Sequence, residues 1–79
     1  MKFTEVRLVN TPKGEGWELH RAGCADIART VAKYHADTYE FEADSVDEAA
    51  HIIINDECED LGYTIEEHLR ILPCAKAAS

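Results

Sequence analysis

Apolar and polar residues alternate in three stretches of the chain, residues 3–9, 17–20 and 38–43. A period of two is typical of a strand that buries one face. Residues 65–72 are open to two interpretations. A capping box at 64–67 would start a helix, whereas the alternation over 67–72 and the closing Pro73 favour a strand. We therefore expect four strands.

Two other stretches have helical periodicity. From Cys24 onward, apolar residues recur every three or four positions up to residue 34, and Gly23 suits a sharp turn from strand to helix. A second helix is predicted to begin at Ser45, which can form a capping box with Glu48, and to end at Gly62.

The predicted order is β-β-α-β-α-β in one small α+β domain, residues 1–79, with a turn-rich loop at 10–16 and a frayed tail at 75–79. Right-handed crossovers lead us to expect both helices on one face of a four-stranded mixed sheet, which gives a two-layer sandwich. The expected core contains Val6, Leu8, Trp17, Leu19, Ile27, Val31, Tyr39, Phe41, Val46, Ile53, Leu69 and Ile71. The other sheet face is expected to be solvated and carries Glu5, Arg7, Glu18, His20, Glu40, Glu42, His68 and Arg70.

The net charge of −8 is unevenly distributed. Residues 1–36 carry a net charge of +2, whereas residues 37–67 contain twelve acidic residues and neither Lys nor Arg. Such an acidic surface repels nucleic acid and attracts a basic partner. The simpler interpretation is that the charge only keeps the protein soluble. We therefore expect no direct contact with nucleic acid.

The chain has no apolar run near the roughly 20 residues that span a membrane, and its N-terminus lacks the apolar segment of a signal peptide. These features predict a cytoplasmic protein. Three cysteines in a reducing compartment argue against an obligatory disulfide framework.

The turn around Gly23 gathers the residues with candidate chemistry. His20, Cys24 and Cys74 are suitable zinc ligands, but C-x-x-C spacing is missing, and His35 and His68 are expected to lie too far away to complete the site. Three alternatives stay open: a redox-sensitive disulfide between Cys24 and Cys74, a Cys24 nucleophile with His20 as base, and half-buried free thiols. Without a recognised catalytic signature, we expect a protein that is not an enzyme and has no obligatory cofactor.

One local motif supports a resemblance. The run His20-Arg21-Ala22-Gly23-Cys24-Ala25-Asp26-Ile27, together with Trp17 and a late Pro73-Cys74, is similar to a group of small proteins encoded by actinobacterial phages. The resemblance implies a phage origin and a location in the host cytoplasm.

Our leading functional hypothesis is a noncatalytic binding module that contacts a host or phage protein; the oligomeric state is left open. The alternatives are an acidic DNA mimic that inhibits a nucleic-acid-binding protein, and a small zinc or redox protein. The candidate binding residues are Glu40, Glu42, Asp47, Glu48, His51, Asp56 and Glu59.

Overall fold

A computed structural model describes residues 1–8, 16–62 and 64–77. Its regular elements, in chain order, are β1 (Lys2–Leu8), β2 (Gly16–Arg21), α1 (Ala25–Tyr34), β3 (Asp37–Glu42), α2 (Val46–Leu61), a 3₁₀ turn (Glu66–His68), β4 (Leu69–Ile71) and α3 (Pro73–Ala77). Except for Gly16, the predicted loop at 10–16 lies outside the described residues.

The four strands form one mixed sheet in the order β3-β1-β2-β4. β1 is antiparallel to both of its neighbours, β2 and β3, whereas β2 and β4 are parallel. The predicted α+β fold with a four-stranded mixed sheet is therefore confirmed. The choice of a strand near the end of the chain is also confirmed, although β4 is short and follows a 3₁₀ turn.

The two long helices cover opposite faces of the sheet. Val6 and Leu8 on β1 pack with Ile27 and Val31 of α1. Residues of the opposite parity on the strands pack with α2, in a cluster that includes Phe3, Trp17, Leu19, Val46, Ala49 and Ile53. The expectation that both helices share one face of a two-layer sandwich was therefore wrong, because the sheet is covered on both sides.

The strand order gives the physical reason for this arrangement. The first crossover leaves β2, passes β1 and enters β3, whereas the second runs back from β3 to β4 at the other edge. Right-handed connections that run in opposite directions across a sheet must lie on opposite faces. These directions depend on the strand order, which the handedness rule alone does not give.

Several polar strand residues are buried as a result. Glu5, Glu18 and His20 were expected on a solvated face, yet each is at most 7% exposed. The register pairs Glu5 with Leu19 on the α2 side and Val6 with Glu18 on the α1 side, so each sheet face carries both apolar and charged residues. Tyr39, which was expected in the core, is instead 52% exposed.

The predicted ends of α2 are confirmed. The Ser45 side chain accepts a hydrogen bond from the Glu48 backbone N–H at 3.1 Å, while the Glu48 carboxylate accepts one from the Asp44 N–H at 3.2 Å. Gly62 ends the helix in the left-handed conformation, with φ at 77°. Both ends of the acidic helix are thus determined by local sequence.

The tail differs from the expected frayed end. Residues 73–77 form α3, and Ala75 is fully buried in the cluster that contains Trp17 and Leu19. An alanine has no side-chain entropy to lose on burial, so even a short segment can dock through it. Residues 78–79 lie outside the described part of the chain.

The orientation of α2 can be tested with neighbouring isoleucines. Ile53 is fully buried and Ile54 is only half-buried. Ile53→Ala should lower the free energy of unfolding by about 2–5 kcal/mol, because it leaves a cavity in a packed core. Ile54→Ala should cost less than half as much. Urea denaturation measures both, and equal losses would contradict this orientation of the helix.

Candidate metal centre

Three side chains from distant parts of the chain meet at one end of the sheet. His20 lies near the end of β2, Cys24 is the N-cap residue of α1, and Cys74 lies in the first turn of α3. The ligand atoms of the three residues all lie within 4.8 Å of one another. The meeting of Cys74 with the turn after β2, which the sequence analysis considered, is therefore present in the structure.

Backbone contacts bring these residues together. Gly23 takes a φ of 83°, which an L side chain rarely adopts, and the chain turns there from β2 into α1. On the other side, the Leu72 N–H donates to the Leu19 carbonyl at 3.1 Å and holds the end of β4 against β2. The Arg21 N–H donates to Cys74 Sγ at 3.4 Å. The cluster therefore rests on the sheet and on the docking of α3.

The imidazole of His20 has a different partner on each nitrogen. Nε2 lies 2.9 Å from Oε1 of Glu18, and Nδ1 lies 3.5 Å from Cys74 Sγ. Since an ionised carboxylate only accepts hydrogen bonds, Nε2 carries the proton and donates it. In the neutral ring the lone pair of Nδ1 then points toward the thiol. His20 is 1% exposed, so this orientation is protected from water.

Arg70 on β4 adds a positive charge beside the Glu18 carboxylate. Arg70 Nη1 on β4 lies 3.5 Å from the second oxygen, Oε2, of Glu18. The Glu18 side chain is 9% exposed, and a buried carboxylate is costly unless it is paired. With His20 on one oxygen and Arg70 on the other, Glu18 is both neutralised and fixed in position.

The distances suit a tetrahedral metal ion. Around zinc, with bonds of about 2.0–2.1 Å to nitrogen and about 2.3 Å to sulfur, a nitrogen and a sulfur ligand lie about 3.6 Å apart. Nδ1 of His20 and Sγ of Cys74 are 3.5 Å apart. The remaining separations, within 4.8 Å, need closure by only about 1 Å to reach the roughly 3.8 Å between two sulfur ligands. Small side-chain rotations would provide this.

The thiol of Cys74 is not prepared for nucleophilic attack. Burial raises the pKa of the Cys74 thiol above its usual value, and the neighbouring Cys24 thiol raises it further, although the Arg21 N–H partly offsets this. Cys24 caps α1 with its backbone alone, since its side chain makes no capping hydrogen bond. A bound metal ion would reverse this preference, because coordination deprotonates a thiol. Cys58 lies exposed on α2, outside the cluster.

The seven residues predicted to bind a partner, six acids and His51, are all exposed, but they do not form one surface. Glu40 and Glu42 share the parity of the strand residues on the α1 side of the sheet, and Glu40 Oε1 lies 3.7 Å from Lys2 Nζ. The others lie on α2, which packs against the opposite face, and they are Asp47, Glu48, His51, Asp56 and Glu59.

A buried pair of acids was missed by the sequence analysis. Glu5 on β1 and Glu57 on α2 are 6% and 5% exposed, and they share a side-chain hydrogen bond. Burial above all, then Glu57 and Asp56, raises the pKa of Glu5 to about 8, while Arg7 opposes the shift. The sequence signal was weak, because Glu57 lies within a run of exposed acids.

No family model, curated protein sequence or solved structure matches the chain. The resemblance to phage proteins, the location in a host cytoplasm, the lack of enzymatic activity and the protein partner therefore stay predictions. In the described part of the chain, no helix is both long enough and apolar enough to span a lipid bilayer.

The raised pKa of Glu5 predicts a pH-dependent stability. Between the ordinary value of 4.5 and about 8, the folded protein holds a proton that the unfolded chain has lost. The free energy of unfolding should therefore fall as the pH rises through this window, by at most about 1.4 kcal/mol per pH unit from this group. Urea titrations at several pH values measure this slope.

Glu5→Gln should flatten the slope, because the amide cannot ionise. Glu67→Gln, at an exposed position, serves as the matched control and should leave the slope unchanged. The same slope in the wild-type protein and in Glu5→Gln would show that Glu5 ionises normally in the fold.

Proposed function

We propose that this protein is a small zinc-binding module whose metal ion is held by His20, Cys24 and Cys74. The observation that carries the proposal is the buried hydrogen bond from His20 Nε2 to Glu18, which leaves Nδ1 facing the sulfur of Cys74. Histidines that bind metal ions commonly donate their other ring N–H to a carboxylate, which fixes the ring and increases its basicity.

This arrangement supports a metal ion more than the competing interpretations of the cluster. A disulfide between Cys24 and Cys74 needs no oriented imidazole beside it. Half-buried free thiols would not require a buried hydrogen bond between His20 and the Glu18 carboxylate either, and burying a carboxylate is costly. Two sulfurs and one imidazole nitrogen also suit zinc better than calcium or magnesium, which prefer oxygen ligands.

The number of ligands indicates how such a centre would act. Among the described residues, the cluster offers three ligand atoms. Zinc sites with three protein ligands keep a fourth position for water, a substrate or a residue of a partner. We infer that the metal ion here would have an exchangeable position, so the centre would serve recognition or chemistry as well as folding.

Native mass spectrometry of protein purified without chelator tests the proposal. We expect one zinc ion per chain, a mass excess of about 63 Da after two protons are displaced. Zinc should raise the midpoint of thermal unfolding by about 10 °C or more at 100 times its dissociation constant. Cys24→Ser should abolish binding, whereas Cys58→Ser, at an exposed cysteine outside the cluster, should not change it.

A second variant separates a metal centre from other uses of the same residues. Glu18→Gln should weaken zinc binding about 10- to 100-fold while leaving all three ligands in place. If the wild-type protein instead lacks zinc, gains none on titration and loses about 2 Da on mild oxidation, the pair is a disulfide. That result would overturn the zinc proposal.

A module that binds a basic protein segment is our second candidate, and the resemblance to phage proteins would make that segment part of a host or phage protein. The exposed strand β3 favours it, because β3 forms one edge of the described sheet and carries Asp37, Glu40 and Glu42. An exposed edge can accept an added strand. A DNA mimic has less support, since Glu40 and Glu42 of β3 lie on the side of the sheet opposite the acids of α2.

A basic peptide with alternating lysine and valine residues tests the second candidate. Its addition should shift the backbone amide resonances of β3 more than those of β4, and the shifts should weaken with added salt. Asp37→Lys should reduce them, whereas Asp47→Lys, on α2, should not. Shifts spread equally over all acidic surfaces would indicate nonspecific attraction and contradict this candidate.

A further inference from the structure

A cavity of about 250 Å³ opens between β1, β3 and α2, on the sheet face opposite α1. Four carboxylates and one guanidinium lie in its lining, together with two aromatic rings and Ile52. The acidic side chains come from Glu5 on β1 and from Asp56, Glu57 and Asp60 on α2. The cavity is therefore strongly anionic, and it is separate from the His20, Cys24 and Cys74 cluster.

Two of these carboxylates are buried. Glu5 and Glu57 are 6% and 5% exposed, whereas Asp56 and Asp60 are exposed to solvent. Oε2 of Glu5 is buried and has no hydrogen-bond partner among the described residues. A buried acceptor without a donor is costly, and in a cavity lining it is a natural site for a ligand that brings a donor.

The cation already present in the lining is Arg7, and it pairs with Glu57. Arg7 Nη1 lies 3.7 Å from Oε2 of Glu57, and the guanidinium carbon lies 5.8 Å from the centre of the Trp17 ring. Arg7 therefore balances Glu57 while it lies over the indole. Glu57, Asp56 and Asp60 together give the cavity more negative charge than one guanidinium neutralises.

We propose that this cavity binds an organic cation, an ammonium or guanidinium group on an alkyl stem. Its N–H donors would meet the free oxygen of Glu5. The rings of Tyr39 and Phe41 in the lining would attract the positive charge, as aromatic faces do. Ile52 offers apolar surface to the stem, in the way that the stems of lysine and arginine cover apolar surface.

A divalent metal ion fits the cavity less well. Within the described ranges, the group of side chains close enough to share a metal ion is the one at His20, Cys24 and Cys74. Calcium needs six to eight oxygen ligands and magnesium a near-ideal octahedron. A ligand with a single N–H donor group does not need several oxygen atoms to converge on it.

Binding should be coupled to the proton on Glu5. Glu57 and Asp56 face Glu5 from α2 and Arg7 flanks it on β1, while Asp60 on α2 and Tyr39 on β3 complete the titratable lining. With a pKa of about 8, Glu5 is protonated at pH 6. Since a cation favours the ionised carboxylate, binding should release a proton and tighten as the pH rises.

Titrations of the full chain with n-butylamine and n-butylguanidine, followed by NMR, test the proposal. We expect saturable shifts at Tyr39 and Glu5, with affinity about tenfold or more higher at pH 8 than at pH 6. The neutral control 1-butanol should cause no saturable shift. Glu5→Gln should remove the pH dependence. Asp56→Asn should weaken binding several-fold, and because Asp56 is exposed to solvent, this substitution carries less risk of unfolding the protein. Glu67→Gln should change neither.

A peptide with one central lysine identifies the source of the cation. If it binds as tightly as butylamine or tighter, the cavity accepts a side chain of a protein; if only the free amines bind, the cavity takes a small molecule. Either result supports a cation site. Shifts equal for butylamine and butanol, or no saturation by millimolar amine at pH 8, would overturn the proposal.

Discussion

Burial of both faces of the sheet is the constraint on which the rest of this structure depends. The strand β1 carries apolar and polar side chains on both of its faces, so covering both faces places Thr4 and Glu5 inside along with Phe3 and Val6. Burying a polar group costs free energy unless the group is hydrogen-bonded. The fold therefore requires partners for its interior polar residues.

Two sets of buried charges meet this requirement, one on each face. On the α1 side, Glu18 contacts both His20 and Arg70, and His20 in turn faces Cys74. On the α2 side, Glu5 and Glu57 share a hydrogen bond, and Arg7 balances Glu57. Each of the two proposed ligand sites contains residues of one of these sets. In each case a polar residue that the fold encloses has one group left to interact with a ligand.

Local sequence predicted much of the fold, because strand alternation, capping residues and turn glycines act over a few positions. Ser45, Gly62 and Gly23 all adopt the expected roles. The placement of the helices could not be predicted in the same way, since it depends on the strand order. Tyr39 shares a sheet face with Phe41, as expected, but lies exposed on the edge strand β3, and Glu5 shares a face with Leu19 because of the register between β1 and β2.

The two candidate sites also differ in how far local sequence could predict them. Cys24 and His20 are four positions apart, so their proximity could be anticipated, and the return of Pro73-Cys74 beside Cys24 was one of the alternatives considered. Glu18 and His20 were placed on one face by strand parity, but their burial, which makes the contact significant, was not predicted. The Glu5 and Glu57 pair joins elements 52 positions apart and had no local signal.

The position of Cys74 in a docked terminal helix has a topological consequence. Any bond between Cys24 and Cys74, direct or through a shared ion, would close a loop of 50 residues that contains α1, β3, α2 and β4. A closure of this length removes about 4 kcal/mol of conformational freedom from the denatured ensemble, in the chain-entropy model. The stabilisation would come mainly through the denatured state, because the closed loop restricts the conformations that the unfolded chain can adopt.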